Sequence, residues 1–231
     1  MCTINDLRWA SRNVSASYVR GKRILEVGSY DVNGSLRYLI SMLEPKEYIG
    51  SDIMAGPGVD LVCPAHSLVG HFGKESFDVV ISTSTLEHIR EWKTALSNIK
   101  NVCKSGGYMI VSAPSRWPFH EYPYDFWRFG MKDFQEIFKD CKIVKLDKDP
   151  QRMAQVYAVI HKTKGFKERD LSDYKLYSVI TNKRVNSLSD RDLKTIRFKR
   201  LLLQNKIWTF INVRGNRLLA YGNPCYPRKM E

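Results

Sequence analysis

Three groups of polar residues in this 231-residue chain stand where apolar runs give way to turns, the usual place for chemistry. Glu26, Gly28 and Gly34 put an acid and two glycines around the first such turn, and glycine lets a backbone approach a ligand closely. Asp52 closes the next apolar stretch, where a carboxylate can accept both hydroxyls of a ribose. Ser82-Thr83-Ser84 closes a later one and is followed by Leu86-Glu87-His88. An acid opening a glycine turn repels a pyrophosphate but suits a cationic ligand. The dinucleotide pattern G-x-G-x-x-G is absent after Gly28, and no Gly-Lys-Ser/Thr phosphate loop occurs. Further along, residues 114–130 form a loop dense in aromatics.

The elements that must position these residues alternate between strand and helix. Strands are expected at 23–28, 48–52, 59–62, 77–82 and 108–112, and helices at 35–43 and 90–103. Phe77 to Ile81 is apolar enough to be buried on both faces, as parallel strands are. A helix over 132–139 and strands over 141–147 and 153–161 complete the pattern. The rhythm predicts an α/β, doubly wound, mostly parallel seven-stranded sheet with right-handed crossovers. Ligands of such sheets bind at the carboxyl ends of the strands.

Composition narrows the class. Apolar residues are 43% and aromatics 12%, too many to stay solvated, so wholesale disorder is excluded. No apolar run approaches the roughly 20 residues of a spanning helix, and residues 1–12 lack the apolar stretch of a secretory signal. Five scattered cysteines without a C-x-x-C pair are expected to be free thiols in a reducing, cytoplasmic setting. The net charge of +13 divides into +3 for residues 1–162 and +10 for 163–231. The chain is therefore expected to comprise a domain at 1–162 and a basic, partly helical C-terminal extension at 163–231, packed on it. Ser189 and Asp192 would cap the extension's helix, with Leu193, Ile196, Leu203, Ile207 and Phe210 on one face. Such a tail suits nucleic acid, an anionic membrane surface or an acidic partner.

Leu25-Glu26-Val27-Gly28, Asp52, Phe77-Asp78-Val79-Val80 leading to Leu86-Glu87-His88, and Lys104-Ser105-Gly106-Gly107-Tyr108 together resemble the class I S-adenosylmethionine-dependent methyltransferases over residues 20–162. The resemblance implies S-adenosylmethionine as cofactor and S-adenosylhomocysteine as product. It implies that Glu26 and Gly28 face the methionine part, that Asp52 holds the ribose and that Ile53 packs on the adenine. Ser29, Gly34, Ala65, Ser82 and His88 would complete the cofactor site. The family often carries an Asp after the third strand; Cys63-Pro64-Ala65 offers none.

Methyl transfer from a sulfonium needs an aligned acceptor and, for a hydroxyl, a base. In the 114–130 loop His120 is the expected general base, with Asp125 orienting it or acting itself. Arg116 and Arg128 would anchor the acceptor, and Trp117, Tyr122, Tyr124 and Trp127 would wall it. No cluster of acids has metal-ligand spacing, so no metal is expected. The run His120-x-Tyr122-Pro123-x-Asp125-x-Trp127-Arg128 resembles a subgroup associated with glycan and polysaccharide synthesis. Aromatics against a pyranose face fit that acceptor. The leading expectation is O-methylation of a sugar hydroxyl. An RNA or other nucleic-acid methyltransferase using the basic tail is the second reading, and a non-catalytic binding module the third. Against the second, no Asn/Asp-Pro-Pro-aromatic motif follows the fourth strand and no paired catalytic cysteines appear.

Overall fold

The computed structural model describes residues 3–32, 34–120, 124–150, 154–195 and 199–204. Two helices, α1 (Ile4–Asn13) and α2 (Ala16–Val19), precede β1 (Arg23–Val27). There follow α3 (Arg37–Ser41), β2 (Glu47–Asp52), β3 (Leu61–Val62), α4 (Leu68–Phe72) and β4 (Phe77–Thr83). Next come α5 (Trp92–Val102), β5 (Cys103–Arg116), β6 (Trp127–Arg128), α6 (Met131–Ile137), β7 (Lys142–Lys148) and β8 (Ala154–His161). Two short strands, β9 (Leu176–Ser178) and β10 (Lys183–Val185), come last.

The main sheet has seven strands in the order β3-β2-β1-β4-β5-β8-β7, and β8 runs antiparallel to both its neighbours. The expected doubly wound, mostly parallel sheet is therefore present. Alternate side chains leave a strand on opposite faces, and the core divides accordingly. From β4, Val80 joins Leu96, Ile99 and Val102 of α5 on one face, and Phe77 joins them across a register shift between Phe77 and Val79. Val79 and Ile81 join Ala10, Val19 and Ile40 on the other. Strand order reverses between β1 and β4, and that switch point is where an open sheet leaves a crevice.

Several elements differ from expectation. α1 was not foreseen, although Thr3 and Asp6 make a reciprocal capping box at its start. The helix expected from residue 90 starts at Trp92, and His88 instead belongs to a 3-10 turn, Leu86–His88. The aromatic loop is partly ordered by pairing. β6 lies against β9, with Trp127 opposite Ser178, in a three-stranded antiparallel sheet completed by β10. Leu176, Ile180 and Leu188 thereby enter the same core as α5. The Ser189–Asp192 cap forms, but it leads into a 3-10 turn at Asp192–Lys194. Residues 199–204 are helical, whereas Ile196, Ile207 and Phe210 of the expected face lie outside the described residues. Among the described residues no helix is long and apolar enough to cross a membrane.

The end of β1 is held to the end of β4 through one glycine. Gly28 has φ +79°, and a Cβ there would lie 2.1 Å from Thr85 Oγ1. That hydroxyl donates to the carbonyls of Val27 (3.2 Å) and Thr83 (3.0 Å). Gly28→Ala combines a disfavoured φ with a clash, and is expected to destabilise by about 2–3 kcal/mol. The urea midpoint should fall at constant slope. Adding Thr85→Ala should restore part of it; no recovery would mean that the backbone angle alone carries the cost.

Candidate active site

A cavity of about 300 Å³ opens at the switch point. Gly28 and Tyr30 line it beyond β1, Asp52, Ile53 and Met54 at the end of β2, and Pro64 and Ala65 beyond β3. Ser84, Thr85 and His88 line it beyond β4, and Phe126 reaches it from the aromatic loop. Asp52 is fixed by two backbone amides, Tyr30 N–H donating to Oδ2 (3.1 Å) and Met54 N–H to Oδ1 (3.3 Å). Ser84 holds a left-handed φ of 49°, a conformation costly for a non-glycine residue and concentrated at functional turns.

Of the residues expected at a cofactor site, Gly28, Asp52, Ile53, Ala65 and His88 line the cavity. Glu26 does not. It is buried beneath, accepting from Tyr48 Oη (2.8 Å) and Ser35 Oγ (3.2 Å), and burial pushes its pKa up to about 7. Ser29 and Ser82 are also buried outside the lining. Gly34 closes the neighbouring turn instead, its N–H donating to Asp31 Oδ1 (2.8 Å). Tyr30, Met54 and Thr85 also line the cavity, and their positions just after strand ends are the only sequence signal that marks them.

Beside the cavity the structure gathers Glu87, His88, His120, Asp125 and Arg128. Asp125 is fully buried and receives Arg128 Nη1 (2.5 Å) and Nη2 (2.6 Å), the backbone N–H of His120 (3.1 Å), and His120 Nδ1 (3.0 Å). Burial works against its charge, but the Arg128 and His120 contacts outweigh this and bring its pKa down to about 2. Burial likewise opposes protonation of His120, yet the bonded Asp125 carboxylate and the charge of Glu87 prevail, so its pKa is raised. His88 Nδ1 donates to the Tyr124 carbonyl (2.6 Å), and burial drives its pKa down to about 3. Burial pushes Glu87 up to about 7. Because both Nδ1 atoms face only acceptors, both carry the proton, and each ring is left with a lone pair on Nε2.

The residues expected to meet an acceptor are dispersed. Tyr124 is half exposed and Arg116 is exposed at the end of β5. Trp117 is half-buried, its carbonyl accepting from Arg128 Nε (3.0 Å). Tyr122 lies outside the described residues. Trp127 and Arg128 are corrected: neither is a wall or an anchor for a ligand. Trp127 is fully buried and donates its indole N–H to the Ile89 carbonyl (3.0 Å). Arg128 is buried and spent on Asp125 and the carbonyls of Trp117, Pro118 and Trp127. Glu87 stands in the Leu86-Glu87-His88 motif with no role assigned by the sequence; its burial, which the sequence does not display, sets it apart.

Residues 38–111 match the family model described as a methyltransferase domain. A curated relative, phthiotriol/phenolphthiotriol dimycocerosates methyltransferase 1 of Mycobacterium ulcerans, is 31% identical over 103 residues, covering 40% of this chain and 37% of its own. This chain thus spans little more than a third of that relative. The fold is similar to a Listeria monocytogenes protein provisionally described as an S-adenosylmethionine-dependent methyltransferase, with TM-score 0.51 and 13% identity. That likeness covers 70% of this chain and all of the other. It is similar also to the N-methyltransferase NodS of Bradyrhizobium japonicum, solved with S-adenosylhomocysteine, with TM-score 0.50 and 12% identity over 68% of this chain and 86% of the other.

The cavity's residues fit an adenosyl cofactor. Asp52 is a carboxylate for two ribose hydroxyls, Ile53, Pro64 and Ala65 are apolar surfaces for a flat base, and Gly28 removes side-chain bulk at the turn. Asp52→Ala is expected to weaken binding of S-adenosylmethionine by about 10–100-fold, since hydrogen bonds to a charged group are worth about 1.5–3 kcal/mol. Equal affinity of the two proteins in calorimetric titration would remove Asp52 from the site.

Proposed function

From the match of residues 38–111 to a methyltransferase domain and the fit of the cavity to an adenosyl cofactor, we propose that the chain is a class I S-adenosylmethionine-dependent methyltransferase acting on a hydroxyl group of a sugar or glycan. The carrying observation is the juxtaposition of the cofactor cavity with a histidine held by a buried carboxylate, His120 on Asp125 at 3.0 Å. When bound, S-adenosylmethionine supplies a methyl group on a positively charged sulfur, a strong electrophile. The chain's own task is to bring a hydroxyl to that group and remove its proton. With Nδ1 fixed by Asp125, Nε2 of His120 accepts the proton, and Asp125 stabilises the imidazolium that forms. Arg128 keeps Asp125 ionised and ties the Trp117, Pro118 and Trp127 carbonyls together.

Two things support the acceptor class. Tyr30 and Phe126 line the cavity, and half-exposed Tyr124 stands beside Phe126 with ring centroids 6.0 Å apart, aromatic faces of the kind that stack on pyranose rings. The mycobacterial relative is named for phthiotriol, a triol. The test is to incubate the protein with S-adenosylmethionine and a panel of reducing sugars, nucleotide sugars and oligosaccharides, and to analyse products by mass spectrometry and NMR. A methyl ether is expected; methylation confined to nitrogen or carbon acceptors would contradict the reading.

A further inference from the structure

Glu87, His88 and His120 come from two separate segments, yet one carboxylate oxygen and one nitrogen of each ring all lie within 4.8 Å of one another. The two rings meet edge to face with centroids 4.9 Å apart. Glu87 is 1% exposed, and its Oε2 has no hydrogen-bond partner among the described residues. Nε2 of His88 is likewise buried and without a hydrogen bond, 3.8 Å from Glu87 Oε1. A buried carboxylate oxygen and a buried imidazole nitrogen left without partners in one cluster are costly unless a cation joins them. Both rings also show the arrangement that metal-ligating histidines use, the other nitrogen donating to a carbonyl (Tyr124) or a carboxylate (Asp125).

We propose that Glu87, His88 and His120 bind one divalent transition-metal ion of the zinc type. Two imidazoles and one carboxylate suit such an ion and not magnesium or calcium, which take oxygen ligands. A tetrahedral ion about 2.1 Å from each ligand sets ligand atoms about 3.4 Å apart. The cluster therefore closes by about 1.4 Å at most, within reach of side-chain adjustment. Three protein ligands leave the fourth position open for a hydroxyl or water, the pattern of a catalytic site.

The ion's presence stands independently of the reaction, but its role rests on the methyl-transfer reading. A metal held there would supply Lewis acidity, lowering the pKa of a hydroxyl placed at the open position. In the loaded protein Nε2 of His120 is then a ligand rather than the proton acceptor, so His120 is needed in both states.

The test uses the whole chain, stripped with a chelator and titrated with cobalt(II) chloride, then with zinc chloride. One Co²⁺ per chain is expected, with the visible absorption of a low-coordinate site, displaced by Zn²⁺. Glu87→Gln and His88→Gln should each weaken uptake by at least about tenfold, with circular dichroism melts reporting that each variant is folded. Native protein that takes up Co²⁺ no more tightly than a Glu87→Gln/His88→Gln double variant overturns the proposal. Calorimetry with S-adenosylmethionine on the stripped chain separates the two readings: metal uptake without cofactor binding would sink the methyltransferase reading and leave the metal site standing.

Discussion

Replacing His120 with glutamine is expected to lower the rate of the proposed hydroxyl methylation by about 10²–10⁴-fold, the usual worth of a positioned proton acceptor. Glutamine keeps the side chain polar and similar in length, so in chelator-treated protein the loss belongs to proton removal and not to collapse of the loop. Binding of S-adenosylmethionine should be unchanged, because His120 does not line the cofactor cavity. The same residue predicts the pH profile of chelator-treated protein. A base works only when unprotonated, and the Asp125 bond and the charge of Glu87, outweighing burial, raise the pKa of His120 above its ordinary value. kcat/KM should therefore climb with pH through an inflection above about 6.5. Asp125→Asn, which removes the neighbouring charge, should move that inflection down. An unchanged inflection would show that another group titrates.

Replacing Asp125 with alanine is expected to cost about 3–5 kcal/mol of stability, the penalty for leaving a buried charge without its partner. Arg128 is 4% exposed, and its guanidinium has no other carboxylate within the described contacts. For a chain of this size the melting temperature should fall by about 10 °C. Asp125→Asn retains an acceptor for Arg128 and should lose less. The linkage has a definite sign. Asp125 has a folded pKa of about 2, below its ordinary 3.8, so its contribution is present above pH 3.8 and is lost as pH falls through 2. A melting temperature of Asp125→Ala equal to that of the native chain would show that the clamp holds nothing together.

The sheet was largely legible because parallel strands covered on both faces read as near-continuous apolar runs; Phe77 to Ile81, broken only by Asp78, and Ile24 to Val27, broken only by Glu26, are of this kind. Asp52 was legible for a related reason, as an acid at the end of such a run has few places to go but the carboxyl edge of the sheet. The short elements were not. α4 is five residues interrupted by Gly70 and His71, and β9 is three residues whose identity as a strand depends on β6, about 50 residues earlier. Burial was the main thing hidden at the site. Trp127 and Arg128 look like ligand-facing residues in a loop, and only packing turns one into core and the other into a clamp. Glu87 was noted within a motif, but nothing in one dimension places His120 beside it across 33 positions.

The most direct test of the account is calorimetric titration of the native chain and Asp52→Ala with S-adenosylmethionine and S-adenosylhomocysteine. The account predicts binding of both ligands to the native chain in the micromolar range, weakened by about 10–100-fold in the variant. A folded native chain that releases no heat with either ligand would contradict the cofactor site, and with it the methyl transfer proposed at His120.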